Sequence, residues 1–419
     1  MIRKFHVLLL FGLLAVPAVT TRSLHAADNP PPKLKLNKEE RQKRDDSLRA
    51  VARQIGIGPG CVIADIGAGD GQDSWLFADI VTDTGKVLSE EIEEAKTKGI
   101  EKEAAARKLT QVTAVLGKPE DPGLPANSVD MAFMHLVYHH LSQPREMLQA
   151  IWKSLKPGGK FVVIDQRLGT LMDWVPRADR AKKHFWIAET TVVREAREQG
   201  FAFLECAEQC WHDKKAFVLV FQRPEGVESP DRDPDAMCPI PASVVEQLLP
   251  DAGDKDKYGH VAFIALGEGR NLIQPILKTT GAEGVDIVLE EWATRKDERP
   301  PLATGLNLPS KLTDQGDPGL ADDSIDAVYF LDSYHLLFHG PVLLEKLNKR
   351  LATNGRVYVL DRPATRDVSR REASHRRMIA PETVKQEMAK AGFKFLRENP
   401  LPDCGRVLLV FGRGDFPNP

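Results

Sequence analysis

The chain has 419 residues and a mass of 46.5 kDa, a length that suggests two or three domains. Its formal net charge is −3, so a surface devoted to nucleic acid or to anionic lipid, which would carry many cations, is not expected. Five cysteines are too few for a disulfide scaffold, and no apolar stretch beyond the N-terminal region is long enough to cross a membrane.

The N-terminal residues have the order of an export signal. A basic start (residues 1–4) precedes an apolar run (7–19), and the small residues Ala26 and Ala27 stand before the charged Asp28. This order predicts a signal peptide over residues 1–27, and hence a periplasmic or secreted protein. An uncleaved membrane anchor is the alternative.

Comparison of the chain with itself predicts a tandem duplication. The sequence DPGLPANSVD at 121–130 returns as DPGLADDSID at 317–326, and Tyr138-His139 returns as Tyr334-His335 at the same shift. Prolines between the two copies are typical of a linker. The predicted segments are a signal peptide (1–27), a Pro-rich spacer (28–39), a first copy (40–224), a Pro-rich linker (225–241) and a second copy (242–414).

Each copy alternates apolar strands with amphipathic helices. This alternation predicts an α/β, Rossmann-like fold, in which a mainly parallel sheet has helices on both faces and an antiparallel end. In the first copy, the predicted helices cover 40–55, 74–80, 92–109, 145–155 and 190–199, and the predicted strands cover 61–66, 85–88, 129–136, 161–164, 201–206 and 216–221. A turn is predicted at 156–159.

A glycine-rich loop follows the first predicted strand. Glycines at alternate positions after Asp65 allow the backbone to approach a ligand closely, and the preceding acid suits a cationic group. Gln72 stands where the dinucleotide fingerprint has its last glycine, which disfavours a dinucleotide-dependent oxidoreductase. Glu91, at the end of the second strand, is placed to accept hydrogen bonds from ribose hydroxyls.

The sequences VIADIGAGDG (62–71) and LKPGG (155–159) resemble class I S-adenosylmethionine-dependent methyltransferases over the first copy and, more weakly, over the second. The resemblance implies a cofactor, S-adenosylmethionine, and a set of residues that hold it. By role these are Asp65, Gly67, Gly69 and Gly71 for the methionine end, Glu91 for the ribose (Glu90 if the register shifts by one), and Glu120 or Asp121 for the adenine.

The second copy lacks part of this pattern. When its glycines Gly267 and Gly269 are matched to those of the first copy, Ala265 replaces Asp65 and Asn271 replaces Gly71, while Glu290 and Glu291 match the acid pair. Pro275 falls in the helix that follows, where it disfavours a regular first turn. The second copy is therefore predicted to be degenerate and not to bind the cofactor.

The residues after the fourth strand supply candidate bases. A base is needed only when the acceptor must lose a proton. The candidates are His135, Tyr138, His139 and His140, of which His139 and His140 are predicted to be catalytic. A structural role for Tyr138 and His139 is the alternative, since both return in the degenerate copy.

One departure from the resemblance bears on catalysis. Relatives are expected to carry an acid two residues before the tyrosine, where this chain has Leu136 and only the second copy keeps an acid, Asp332. The acceptor pocket would be built by residues 33–46 and 168–183, with His184 and His375 in aligned loops that could line it.

The cysteines give no strong metal pattern. Cys206, Cys210 and His212 lie close in sequence, but their spacing matches no common structural zinc site, so no metal is predicted. A disulfide that involves Cys206, Cys210, Cys238 or Cys404 would be compatible with export, although the spacing does not define the partners.

The resemblance and the loop together predict methyl transfer from S-adenosylmethionine to a small-molecule acceptor by the first copy, with a non-catalytic second copy. An exported pseudo-methyltransferase that acts as a binding or scaffold protein is the alternative.

Overall fold

The computed structural model describes most of both predicted copies but not the N-terminal leader. The described residues are 37–166, 187, 189–213, 216–227, 239–249, 258–265, 267–291, 308, 310–314, 316–337 and 340–414. The predicted signal peptide, most of the spacer, part of the linker and the acceptor loop at 168–183 lie outside them. Among these residues, no helix has the length and apolar character needed to cross a membrane.

The first sheet has seven strands in the order β3-β2-β1-β4-β5-β7-β6. Strands β1 to β5 run parallel, and β7 pairs antiparallel with both β5 and β6, which confirms the predicted antiparallel end. The strand bounds are β1 Val62–Ile66, β2 Lys86–Glu91, β3 Val112–Leu116, β4 Val129–His135, β5 Leu155–Gln166, β6 Ala202–Cys206 and β7 Ala216–Gln222.

Helices cover both faces of this sheet, as predicted. One face packs against α1 and α2 through side chains such as Leu48 and Phe77, and the other against α4 and α5 through Trp152 and Val192. Within a helix the buried side chains recur at helical spacing, as Leu48, Val51 and Ala52 do in α1, so the helix presents one apolar stripe to the sheet. The helix bounds are α1 Lys38–Gln54, α2 Gln72–Val81, α3 Glu94–Arg107, α4 Pro144–Ser154 and α5 Glu189–Glu198.

The second sheet repeats the first strand for strand, in the order β10-β9-β8-β11-β12-β14-β13. Its strands are β8 His260–Ile264, β9 Gly284–Glu291, β10 Ser310–Asp314, β11 Ile325–Leu331, β12 Leu351–Asp361, β13 Phe393–Leu401 and β14 Arg406–Arg413. Its helices are α6 Ile273–Thr280, α7 Gly340–Arg350, α8 Arg370–Arg376 and α9 Pro381–Lys390. An identical strand order is what the predicted duplication requires.

Two elements differ from the sequence prediction. Strand β3 was not predicted, because its five residues are only partly buried and carry no clear alternation. The predicted turn at 156–159 lies within β5, where the pairing with β4 jumps from Leu155 to Lys160. The backbone between them loops out of the ladder, with Gly158 at φ +80°.

Pro275 does not prevent the helix in which it lies. It is the third residue of α6, where a missing N–H is tolerated.

A buried ionic cluster joins the two domains. Glu189, at the start of α5, is 2% exposed and accepts hydrogen bonds from Arg371 Nη2 at 2.5 Å and from His375 Nε2 at 3.1 Å. Arg371 also forms an ion pair with Glu208. His375, which the sequence places near an acceptor pocket, is instead fully buried in this cluster beside Phe203.

Candidate functional site

The glycine-rich loop connects β1 to α2 at the carboxyl end of the first sheet. Its glycines Gly67, Gly69 and Gly71 have φ angles of +69°, +61° and +78°, a region that other residues rarely adopt. A Cβ atom built on Gly69 would meet no atom within 4 Å, so the space beside the loop is open. The predicted glycines are therefore required by the turn, and one of them borders free space.

Two acids at the end of β2 hold the loop. The amide of Gly67 donates to Glu90 Oε2 at 3.0 Å, and the amide of Gly69 donates to Glu91 Oε1 at 2.8 Å. Lys96 Nζ lies 3.7 Å from Glu91 Oε1. Both acids predicted for the ribose thus lie beside the loop.

Glu90 is the more buried of these two acids. Its pKa is raised to about 8, first by burial and then by the nearby charges of Glu91, Asp65 and Asp121. Its Oε1 would lie 1.9 Å from a Cβ atom at position 117, so any side chain there would displace the Glu90 carboxylate. Glu91 is therefore the better placed of the two to bind a ligand, because Glu90 is packed against backbone.

Asp65 supports the loop from inside the domain. It is 3% exposed and accepts a hydrogen bond of 2.5 Å from Ser74 Oγ, which itself accepts one of 2.7 Å from Ser89 Oγ. The pKa of Asp65 is raised to about 7, first by burial and then by the charge of Asp73. Carboxyl groups that are costly to ionise together favour a cation beside them.

Two exposed apolar side chains flank the acids. Ile92 follows β2 and Leu116 ends β3, and these side chains are 52% and 53% exposed. Sequence reasoning missed both, because β3 itself was not predicted. Neighbouring apolar side chains at the ends of adjacent strands can enclose a flat ring.

The acids predicted to face the adenine have local roles. Asp121 Oδ1 accepts a hydrogen bond from the amide of Gly123 at 2.8 Å, and Asp317 does the same for Gly319 in the second domain at 2.9 Å. Glu120 Oε2 lies 3.4 Å from Gln143 Nε2. The repeated turn indicates that Asp121 shapes the backbone; its contact with adenine, and that of Glu120, stay predictions.

The predicted base His139 is held in the same way as its counterpart. His139 Nδ1 lies 2.9 Å from Asp165 Oδ2, and its amide donates to the same oxygen at 3.2 Å. In the second domain, His335 Nδ1 lies 2.8 Å from Asp361 Oδ1, and its amide donates to Oδ2 at 3.0 Å. A contact present in both domains favours a structural role for His139, and its catalytic role stays a prediction.

The neighbouring residues follow the same pattern. Tyr138 donates to Glu195 at 2.9 Å, and Tyr334 donates to Glu387 at 2.8 Å. His140, the other predicted base, is exposed, and its ring centroid lies 4.0 Å from that of His139. The tyrosine contact thus stabilises both domains.

Leu136 and Asp332 occupy the same backbone position in the two domains. Both have a positive φ, +57° and +51°, directly after β4 and β11. Asp332 is buried and forms an ion pair with Arg406, with Nη2 to Oδ2 at 2.7 Å, whereas Leu136 is 37% exposed. The acid that the first domain lacks at this position therefore forms a buried ion pair in the second domain.

The contact of His135 has no counterpart at the matching position of the second domain. His135, the last residue of β4, places Nδ1 2.7 Å from Asp73 Oδ2 on α2. In the second domain, Leu331 ends the equivalent strand β11. His135 is one of the candidate bases that the sequence places after β4. Its contact with Asp73 distinguishes it from His139 and Tyr138, whose contacts recur in the second domain.

The strand register corrects the alignment of the two copies. Asp65 pairs with Ser89 and Phe133, and Phe263 pairs with the corresponding residues of β9 and β11. Phe263, not Ala265, therefore stands where the first domain has Asp65. By the same register, Val288 and Leu289, not Glu290 and Glu291, occupy the positions of the acid pair. An alignment of the two copies based on their glycines is therefore wrong by two residues in this region.

The loop after β8 is closed against the sheet. A Cβ atom built on Gly267 would lie 1.6 Å from the carbonyl oxygen of Asp332, and one on Gly269 would lie 2.8 Å from Leu331 Cβ. The equivalent region beside Gly69 is open. The second domain therefore lacks both the acids at the end of β2 and the open space that the first domain has beside its glycine loop.

The described cysteines form no disulfide with one another. Cys61, Cys206, Cys210 and Cys404 are free thiols, and Cys238 lies outside the described residues. Burial raises the pKa of the Cys206 thiol, so it is a poor nucleophile. No three His, Cys, Asp or Glu side chains in the described part of the chain are grouped to hold a metal ion.

Comparison with known proteins agrees with the fold. Residues 64–163 match the family described as methyltransferase domain. Over 118 residues the chain is 30% identical to a demethylmenaquinone methyltransferase of Symbiobacterium thermophilum, covering 28% of this chain and 47% of that protein. It is 27% identical over 111 residues to a ubiquinone/menaquinone biosynthesis C-methyltransferase of Escherichia fergusonii, covering 26% and 44%.

A solved structure of a methyltransferase from Aquifex aeolicus aligns over 45% of this chain and 99% of its own, with 21% identity and a TM-score of 0.35. The chain spans about half the length of the curated relatives it matches. The matched residues 64–163 lie within the first sheet and its helices, so this part of the first domain is similar to the methyltransferase domain family.

Proposed function

We propose that the first domain binds S-adenosylmethionine and transfers its methyl group to a small quinol-type acceptor. The observation that carries the proposal is the open glycine loop of the first domain, held by Glu90 and Glu91 above the buried Asp65. The named activities of the two partial relatives, both quinone methyltransferases, support the acceptor class.

The residues of the site fit this cofactor. Glu91 would accept hydrogen bonds from the ribose hydroxyls, while Ile92 and Leu116 would flank the adenine. The cluster of carboxyl groups near Asp65 favours the positively charged methionine end. When bound, S-adenosylmethionine supplies a methyl group on a positively charged sulfur, and the protein must position the acceptor and exclude water.

We further propose that the second domain arose by duplication and has no cofactor site. Phe263, Val288 and Leu289 replace the three acids, and the loop after β8 leaves no space beside its glycines. Its role is to stabilise the first domain through the buried cluster around Glu189, which lies just after the proposed acceptor loop.

Export is also proposed, on the basis of residues 1–27. Expression with an epitope at the C-terminus, followed by fractionation and N-terminal sequencing of the mature chain, tests it. Cleavage near Ala26 or Ala27 supports export, retention of the leader in the membrane fraction supports an anchor, and an intact chain in the cytoplasm contradicts both.

Calorimetry with S-adenosylmethionine and S-adenosylhomocysteine tests the cofactor. We expect both to bind the wild-type chain in a one-to-one ratio, and Glu91→Ala to weaken both. Mass spectrometry of naphthohydroquinone after incubation with S-adenosylmethionine tests methyl transfer. A stoichiometry of two would contradict the assignment to one domain, and binding without transfer to any quinol would support the pseudo-methyltransferase alternative.

A further inference from the structure

His135 and Asp73 form a pair in the first domain, whereas Leu331 stands at the position of His135 in the second. His135 lies two residues beyond the Asp65–Phe133 pairing of β1 with β4, level with Gly67 at the carboxyl end of the sheet. Asp73 is in the first turn of α2, directly after the glycine loop. The pair therefore lies beside the proposed cofactor site, on the strand that borders it.

The surroundings of the pair fix the orientation of the imidazole. Nδ1 is engaged by Asp73 Oδ2 at 2.7 Å, and the ring packs edge-on against Trp211 with centroids 5.2 Å apart. Arg44 Nη1 lies 3.7 Å from Asp73 Oδ1. Among the described residues, Nε2 has no hydrogen-bond partner, and the side chain is 17% exposed. This is the geometry of a base whose second nitrogen is left for a substrate.

The charges around His135 explain its basicity. Asp73 raises the pKa of His135 above its ordinary value, against the opposing effects of burial and of Arg44, and the same contact lowers the pKa of Asp73. The titratable and charged groups that act on the imidazole are Asp73 and Arg44, together with Asp65, Asp165 and His212.

The second domain shows which of the nearby contacts folding requires. The pairs formed by His139 and Tyr138 return in it with the same geometry, whereas the position of His135 is taken by Leu331. Of the histidine contacts compared at the end of β4, this one therefore accompanies the open loop and the acid pair, the features that the second domain lacks.

We propose that His135 is the general base of the first domain and that Asp73 is its positioning residue. The inference rests on the proposed methyl transfer and assigns to the acceptor an ionisable hydroxyl on an aromatic ring. The hydroxyl proton moves to Nε2, and the electron pair of the O–H bond stays on the acceptor. A ring carbon made nucleophilic by this ionisation then forms a bond to the methyl group, while the carbon–sulfur bond breaks with its electrons kept by sulfur. The hydrogen on that ring carbon is lost to solvent as a proton, and the electrons of its C–H bond return to the ring. The proton leaves His135 for solvent.

The test compares His135→Gln with Asp73→Asn and with a control, His260→Gln. His260 forms a His–Asp pair of similar length in the second domain, with Nε2 2.9 Å from Asp286 Oδ2. The first measurement is binding of S-adenosylhomocysteine, which all four proteins should share. If the wild type does not bind S-adenosylhomocysteine, the proposed function is wrong. The inference about the base is decided by the two measurements that follow.

The second measurement is the absorbance of para-nitrophenol bound in the presence of S-adenosylhomocysteine. The wild type and His260→Gln should increase the phenolate fraction at a pH below the probe's own pKa, and His135→Gln should not. With naphthohydroquinone and S-adenosylmethionine, His135→Gln should lower kcat by about 100-fold or more without a comparable change in KM for the cofactor.

The third measurement is the pH profile. Because only the neutral imidazole accepts a proton, the wild-type rate should rise with pH through the raised pKa of His135. Asp73→Asn should move that limb to lower pH, and NMR titration of the imidazole should show the same change. The inference is wrong if wild type binds S-adenosylhomocysteine but leaves para-nitrophenol neutral, or if His135→Gln keeps the ionisation and the pH limb.

Discussion

Phe263 of the second domain occupies the strand position that Asp65 holds in the first. Asp65 pairs with β2 and β4, and Phe263 pairs with the equivalent strands β9 and β11. Each lies two residues before a residue with a positive φ, Gly67 or Ala265. A buried carboxyl with a raised pKa in one domain is thus an aromatic core side chain in the other. The scaffold does not require the acid, so its presence in the first domain calls for a ligand-based reason.

Glu91→Gln is expected to weaken binding of S-adenosylmethionine by about tenfold or more, since a charged acceptor of hydrogen bonds becomes neutral. Calorimetry measures the dissociation constant. Glu291→Gln, at the position that the sequence alone matches to Glu91, is the control and should not change the dissociation constant. Equal affinities for wild type and Glu91→Gln would remove the ribose role from this residue.

The stability of the ligand-free protein is expected to fall as pH rises from about 4 to about 8. The pKa of Asp65 is raised from 3.8 to about 7, and that of Glu90 from 4.5 to about 8. In this window the folded state binds more protons than the unfolded state, so the free energy of unfolding decreases with pH. Urea unfolding at a series of pH values measures it.

The amide variants Asp65→Asn and Glu90→Gln should each flatten that profile, because an amide does not titrate. Each unit of pKa shift corresponds to about 1.4 kcal/mol at most. The same ionisation should strengthen binding of the positively charged S-adenosylmethionine more than that of S-adenosylhomocysteine as pH rises. A pH-independent affinity ratio would contradict the role assigned to the carboxyl cluster.

His139→Ala is expected to destabilise the protein by about 2–4 kcal/mol, because it leaves the buried carboxylate of Asp165 without its histidine partner. His335→Ala, which removes the matching contact to Asp361, should have a similar effect. Thermal unfolding compares the two variants. A stable His139→Ala protein that has lost only turnover would instead support the catalytic role predicted from sequence.

Arg371→Ala is expected to lower the free energy of unfolding by about 3 kcal/mol, since Glu189 would remain buried with a diminished set of cationic partners. Arg366→Ala is the control: its ion pair with Glu372 is more exposed and should contribute less than about 1 kcal/mol. Similar losses for the two variants would show that the buried cluster does not hold the domains together.

Sequence reasoning found the features that are local along the chain. Apolar runs and glycine positions predicted most strands, and the loop with its acids was recognised because Asp65, Gly67, Gly69 and Glu91 lie within one strand–helix–strand unit. Strand β3 was missed because it lies at the sheet edge and is only half-buried.

The pairing of His135 with Asp73 was missed for a different reason. The two residues are 62 positions apart, and only the placement of β4 beside β1 brings them together. The alignment of the two copies failed in the same way, because glycine identities were matched where the hydrogen-bond ladder decides which residues correspond.

The paired contacts Tyr138–Glu195 and Tyr334–Glu387 have a consequence for how selection acts on this chain. Under the proposed duplication, both domains have evolved in the same gene, at the same expression level and for the same time. Contacts that survive in both record what folding alone preserves. A contact that the first domain has and the matching position of the second lacks, such as His135 with Asp73, records selection for function. The second domain thus provides a reference within the same chain for separating selection for function from selection for folding.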